Sequence, residues 1–183
     1  MRLPLLLLLA VALSAVEEGP FPVLKVIDGD TIEVEREGKP QRVRLLYVDT
    51  PEASDNDHGK LMPEGQKAKE FLRDLLPEGF LVKLEDDQRE RLTRDRHGRI
   101  LAIVWKAERR GHDLDGIPSV QESIISAGWS PYWQKYGTAS FRLDDAWSAN
   151  EELAREAKRG AWATAPDWMR DKANERTAAK GEK

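Results

Sequence analysis

The sequence predicts an α+β domain, mainly β, built as a five-stranded Greek-key barrel with three helices. Three observations predict it. Short apolar stretches between turn signals recur five times, the first three in immediate succession as a meander. A helical pattern separates the third stretch from the fourth, and two more follow the fifth. With 183 residues, 40% hydrophobic and 34% charged, the chain is an ordinary soluble globular domain that can bury one core. A five-stranded barrel of this layout is of the OB type.

Residues 1–15 read as a signal peptide: Arg2 is the positive start, Leu5 to Leu13 is apolar but short for a bilayer, and the small residues Ala10, Ala12, Ser14 and Ala15 offer cleavage after Ala12, Ser14 or Ala15. An uncleaved anchor is the competing reading. Export places the mature chain outside the cytoplasmic membrane, secreted or in an envelope space, as a monomer without stable membrane association. Residues 16–21 are a polar lead-in, 22–165 the folded domain, and 166–183 a polar tail, frayed from Arg170.

Within the domain, Val23 to Ile27 is a strand ended by the hairpin signal Asp28-Gly29, and Thr31 to Glu35 alternates as a second. Glu37-Gly38-Lys39-Pro40 turns the chain into a third strand, Val43 to Val48, which stops at Asp49-Thr50-Pro51-Glu52 because proline lacks a ladder donor. A polar loop, 53–63, precedes a helix from Pro63 that carries Ala68, Phe71, Leu72, Leu75 and Leu76 and ends at Pro77. Phe80–Leu84 and Ile100–Trp105 are the remaining strands. Ser119 caps a helix running to Ala127 with Gly128 as its stop, and a last helix spans Asp144 to Lys158 with Ala146, Asn150, Leu153 and Ala157 on one stripe.

The net charge of −4 excludes a general polyanion binder, so any nucleic-acid contact rests on a local basic patch. The absence of cysteine excludes a disulfide scaffold and a thiolate zinc site. Chemistry concentrates in three places. Asp30 follows the first turn and, if near Asp49, supplies hard oxygen ligands for Ca²⁺ or Mg²⁺. Arg44 sits within the third strand, with Asp49 and Glu52 where it gives way. Glu52 can serve as a general base, or the same four residues can form a capping box that makes it structural. The run Gln88 to Arg99 carries five arginines, and Arg99 enters the buried fifth strand directly, where its planar fork suits phosphate oxygens. His112-Asp113-Leu114-Asp115 and His58 read as solvated loop. Trp105, Trp129, Trp147, Trp162 and Trp168 read as packing, whereas Trp133 and Tyr136 are candidates for stacking on bases.

Val26 to Thr31, Val43 to Glu52 and Asp95 to Arg99, in that order, resemble the staphylococcal nuclease (thermonuclease) family, over about residues 22–163. The resemblance implies an OB barrel and Ca²⁺-dependent cleavage of DNA and RNA to 3′-phosphate ends. It implies Asp30, Asp49 and the Thr50 carbonyl as calcium ligands, Glu52 as general base, and Arg44 and Arg99 as phosphate clamps. His97 stands where the family pattern has a tyrosine, and of two further tyrosines only Tyr136 has a match, with Trp133 or Gln134 near the other. Arg96, His97, Trp133 and Tyr136 are therefore the substrate-binding candidates. The rival reading is a non-catalytic OB module for single-stranded nucleic acid; a third is an interaction module with structural calcium.

Overall fold

The computed structural model describes residues 16–54, 61–86, 91–108 and 117–178. The signal peptide, His58 and the His112 to Asp115 stretch lie outside the described residues.

Alternating Val and Ile residues with buried side chains make the first three strands, β1 (Val16–Asp28), β2 (Thr31–Arg36) and β3 (Lys39–Leu45), which pair antiparallel in succession. After helix α1 (Pro63–Leu75), β4 (Leu81–Asp86) pairs with the first half of β1. A two-residue β5 (Thr93–Arg94) leads into β6 (Ile100–Lys106), which lies between β4 and β3. The β3–β6 pairing is parallel, with Val43 opposite Ile100 and Arg44 opposite Leu101, and it closes five strands into the expected OB-type barrel. Val23, Ile32, Val34, Val43, Leu45, Val82, Leu84, Ile100 and Val104 fill it, capped by Leu72 and Leu76 at the end of α1.

Helix α2 (Val120–Ser126) begins as expected at Ser119, whose hydroxyl accepts the Glu122 amide, and Gln121 ties it to β6 through Ala102 and Val104. Helices α3 (Phe141–Glu156), α4 (Ala161–Thr164) and α5 (Pro166–Ala178) follow.

Four expectations are corrected. Among the described residues there are five helices rather than three. The polar lead-in is strand, because β1 pairs with β4 from Val16 onward despite its Gly and Pro. On α3 the buried stripe is Leu143, Trp147 and Ala154, and Leu153 is exposed, because the indole of Trp147 is the largest surface available to bury and sets the helix rotation. The stretch from Pro166 to Ala178 is a helix, not a frayed tail: Met169 and Ala173, four residues apart, dock on Ala154, Ala161 and Trp162.

Candidate active site

In β3 the side chains alternate across the barrel wall, so Val43 and Leu45 are buried in the core while Arg44 lines the cleft on the other side. The strand ends at Leu45, earlier than the apolar run suggests, because the chain turns at Leu46-Tyr47 with Tyr47 at φ 63°. That sparsely populated conformation is held by packing: the Tyr47 ring meets Tyr132 and Trp147 at centroid distances of 6.3 and 5.9 Å. Asp49 is thereby swung back over Arg44. The Arg44 Nη1 pairs with Asp30 Oδ2 at 2.9 Å and donates to the Val48 carbonyl at 2.9 Å, while Nη2 pairs with Asp49 Oδ1 at 2.8 Å. The arginine side chain is only 12% exposed.

Residues 48–52 are neither helix nor strand. Tertiary contacts hold them. The Trp133 amide donates to the Tyr47 carbonyl, the Asp49 amide to Ser130 Oγ at 2.8 Å, and the Thr50 amide to Asp30 Oδ2 at 3.2 Å. Two glycines allow close approach. A Cβ on Gly29 would lie 2.6 Å from Thr50 Oγ1, and one on Gly65 would lie 2.1 Å from the Glu52 carbonyl oxygen. Asp28-Gly29 therefore does more than turn a hairpin. Gly65→Ala is expected to cost about 1–3 kcal/mol in denaturant unfolding, because backbone rather than a flexible side chain must move. Wild-type stability in that variant would show that the contact is loose.

Asp28 lies beside Glu52, and their carboxyls share a hydrogen bond. Burial first, then Asp30 and Glu52 nearby, push Asp28 up to about 6, against a lowering hydrogen bond from the Gly29 amide. Burial also raises Asp49, with Arg44 and Lys172 opposing it and Asp30 reinforcing it. Four carboxyl groups thus crowd one wall of the cleft.

Elsewhere in the cleft, burial of Asp95 is outweighed by hydrogen bonds from Arg99 and His97 that lower it, and Asp95 Oδ2 holds Arg99 Nε at 2.7 Å. All ten residues predicted from the sequence, Asp30, Arg44, Asp49, Thr50, Glu52, Arg96, His97, Arg99, Trp133 and Tyr136, line the same cleft of about 1130 Å³. Gln134 does not. It is buried and donates to Asp144, whereas Trp133 faces the cleft with Tyr136 edge-on at 5.3 Å.

The family model for staphylococcal nuclease homologues matches residues 42–164, the strand bearing Arg44 through the end of α4. The chain belongs to the staphylococcal nuclease family. It is 30% identical over 151 residues to a thermonuclease of Staphylococcus hyicus, covering 82% of this chain and 80% of that one. It is 35% identical over 141 residues to the endonuclease YncB of Bacillus subtilis, covering 74% and 61%. An uncharacterized endonuclease of Escherichia coli is 32% identical over 150 residues, covering 80% and 81%. These likenesses support a nuclease function. The family match stops short of α5 and leaves β1 and β2, with Asp28 and Asp30, outside it.

Nuclease relatives of this family raise the question of a metal. Among the described residues no group of three or more His, Asp or Glu stands ready to hold one. Arg44 occupies the space between Asp30 and Asp49. The donor set nevertheless fits a hard cation, since the Asp30 and Asp49 carboxylates and the Thr50 carbonyl are all oxygen. Thr50 Oγ1 is buried without a hydrogen-bond partner at the same place.

Three contributors escape the sequence. Asp28 looks like a turn residue, and Ser130 lies 81 positions from the Asp49 amide that it anchors. Lys172, on α5, reaches Asp49 Oδ2 at 2.6 Å. Burial pulls Lys172 down, and Asp49 with Glu175 more than offsets it.

Proposed function

We propose that the protein is an exported, calcium-dependent nuclease that hydrolyses DNA and RNA to products with 3′-phosphate ends. The observation that carries the reading is the convergence of Glu52, Arg44 and Arg99 with the Asp30–Asp49 pair on one cleft. Glu52 takes the proton of a water that attacks phosphorus in line. The P–O5′ bond breaks, the 5′-oxygen departs with the bonding electrons and takes a proton from solvent to become a hydroxyl, and the phosphate stays on the 3′ side. Arg44 and Arg99 donate to the non-bridging oxygens, where charge accumulates in the transition state. Asp28, hydrogen-bonded to Glu52, orients the base. A calcium ion held by Asp30, Asp49 and the Thr50 carbonyl would supply further charge neutralisation at the phosphate. Trp133 and Tyr136 offer aromatic faces to bases, and Arg96 and His97 line the same cleft.

Incubating the full chain with DNA or RNA, with and without calcium, tests the reading on a gel. Cleavage that disappears with excess chelator is expected. Binding without cleavage would indicate the non-catalytic OB module instead. Export is supported by the character of residues 1–15, and no helix among the described residues is long and apolar enough to cross a membrane.

The cation site has a readout apart from activity. Asp28 stands at about 6 in the fold against 3.8 ordinarily, so the folded state holds a proton that the unfolded chain releases. Without a cation, stability therefore falls as pH rises from about 4 through about 6. Calcium relieves that crowding, so it is expected to raise Tm more at about pH 7.5 than at about pH 5. Equal shifts at both pH values, or none, would count against a site among these carboxylates.

A further inference from the structure

Helix α5 is fastened to the cleft rather than hanging beside it. Met169 and Ala173 seat it on Ala154, Ala161 and Trp162. Glu175 Oε2 accepts the Trp133 indole N–H at 2.7 Å, which locks the helix to the cleft loop. Those contacts hold Lys172 with its Nζ 2.6 Å from Asp49 Oδ2, 5.7 Å from the Trp133 ring centre and 5.6 Å from that of Trp168. Lys172 and Trp168 both line the cleft, yet α5 lies beyond the residues that the family model matches.

Asp49 has two oxygens and two cationic partners: Arg44 on Oδ1 and Lys172 on Oδ2. Arg44 is also bound to Asp30 and to the Val48 carbonyl, so it is the fixed partner. Lys172, on a flexible stem, pairs with Asp49 Oδ2 and more loosely with Glu175 Oε1 at 3.5 Å, and a cation arriving at Asp49 would repel it from the first. Once released, it stays within reach of Glu175 and of the two indoles that line the cleft.

We propose that α5 adds a substrate contact to the cleft: Lys172 leaves Asp49 when a cation binds there and takes a phosphate of the polynucleotide beyond the scissile one, with the Trp168 indole flanking the adjoining nucleotide. This rests on the nuclease reading for its substrate class, but its test is binding and stands apart from cleavage. An ammonium suits this exchange better than a guanidinium, because it is a point charge without a fixed fork.

The test uses full-length Glu52→Gln protein in calcium, alone and with Lys172→Met or Lys172→Arg added. Fluorescence anisotropy with a labelled dinucleotide and a labelled strand of about 12 nucleotides then reads affinity as a function of salt. Lys172→Met is expected to weaken the longer strand about tenfold and the dinucleotide less than about twofold, and to lower the salt slope by about one. Lys172→Arg, which keeps the charge, is expected to recover most of the loss. Calorimetry should show calcium bound severalfold more tightly by Lys172→Met, since a competitor has gone. Unchanged affinity for the longer strand, or an equal loss on both lengths, overturns the proposal, as does weaker calcium binding. Equal loss on both lengths is what a merely structural Lys172 would give. If the unsubstituted protein cleaves nothing, the nuclease reading fails while this binding result still decides the role of Lys172.

Discussion

Glu52→Gln is expected to lower kcat by about 10²–10⁴-fold while leaving the unfolding transition in place. The amide is isosteric and keeps an oxygen to accept the hydrogen bond from Asp28, so the half-buried side chain holds its position. What it loses is the ability to take a proton from water. Undiminished turnover in this variant would remove Glu52 from the role of general base. A companion Asp28→Asn keeps a donor toward Glu52 and removes one negative charge. It is expected to lower kcat far less than Glu52→Gln and to abolish the pH-dependent part of the calcium-induced Tm shift. A kcat loss as large as that of Glu52→Gln would make Asp28 a second base rather than an orienting group.

Arg44→Met is the most damaging single change for structure and activity together. It keeps the bulk of the stem but withdraws the guanidinium from between Asp30 and Asp49, whose partner it is at 2.9 and 2.8 Å. Removing one member of a buried ion pair typically costs about 3–5 kcal/mol, because the remaining charges stay desolvated. Lys172 is left to offset Asp49 alone, so denaturation in chelator should fall within that range. Loss of a transition-state donor should add about 10²–10³ in kcat. Arg44→Lys is not expected to rescue either loss, since one ammonium cannot span Asp30 Oδ2, Asp49 Oδ1 and the Val48 carbonyl. Calcium should restore part of the lost stability to Arg44→Met by replacing the missing positive charge. Stability unaffected by the substitution in chelator would mean that the arginine is solvated rather than structural.

Much of the barrel was legible because strand formation here is a local property. Val23, Ile32, Val34, Val43 and Leu45 are buried with the period-two pattern that their sequence displays, and Ser119 caps α2 as its position announces. The failures are also physical. Leu46-Tyr47-Val48 continues the apolar run that ends β3, yet Tyr47 takes a positive φ because Tyr132 and Trp147 hold its ring, and neither is near it in the chain. Helix α5 docks through Met169, Ala173 and the partly buried Trp168 within a charged stretch, too narrow a stripe to stand out before its docking surface is known.

The sequence by itself determined the barrel strands, the family, and the kinds of charge delivered to the cleft: Arg44 with Asp49 and Glu52 close behind it, Asp30 upstream, Arg99 downstream. Residue type and spacing are enough for that, because hydrophobic period and side-chain chemistry act over a few residues. Tertiary structure alone decided who meets whom. It set Asp28 against Glu52, put Arg44 between two carboxylates, gave Gly65 its reason, turned Gln134 inward and Trp133 outward, and brought Lys172 onto Asp49 from the far end of the chain. Such meetings depend on barrel closure and on the docking of α3, α4 and α5. They are fixed by packing between distant segments, to which no local pattern in the chain is sensitive.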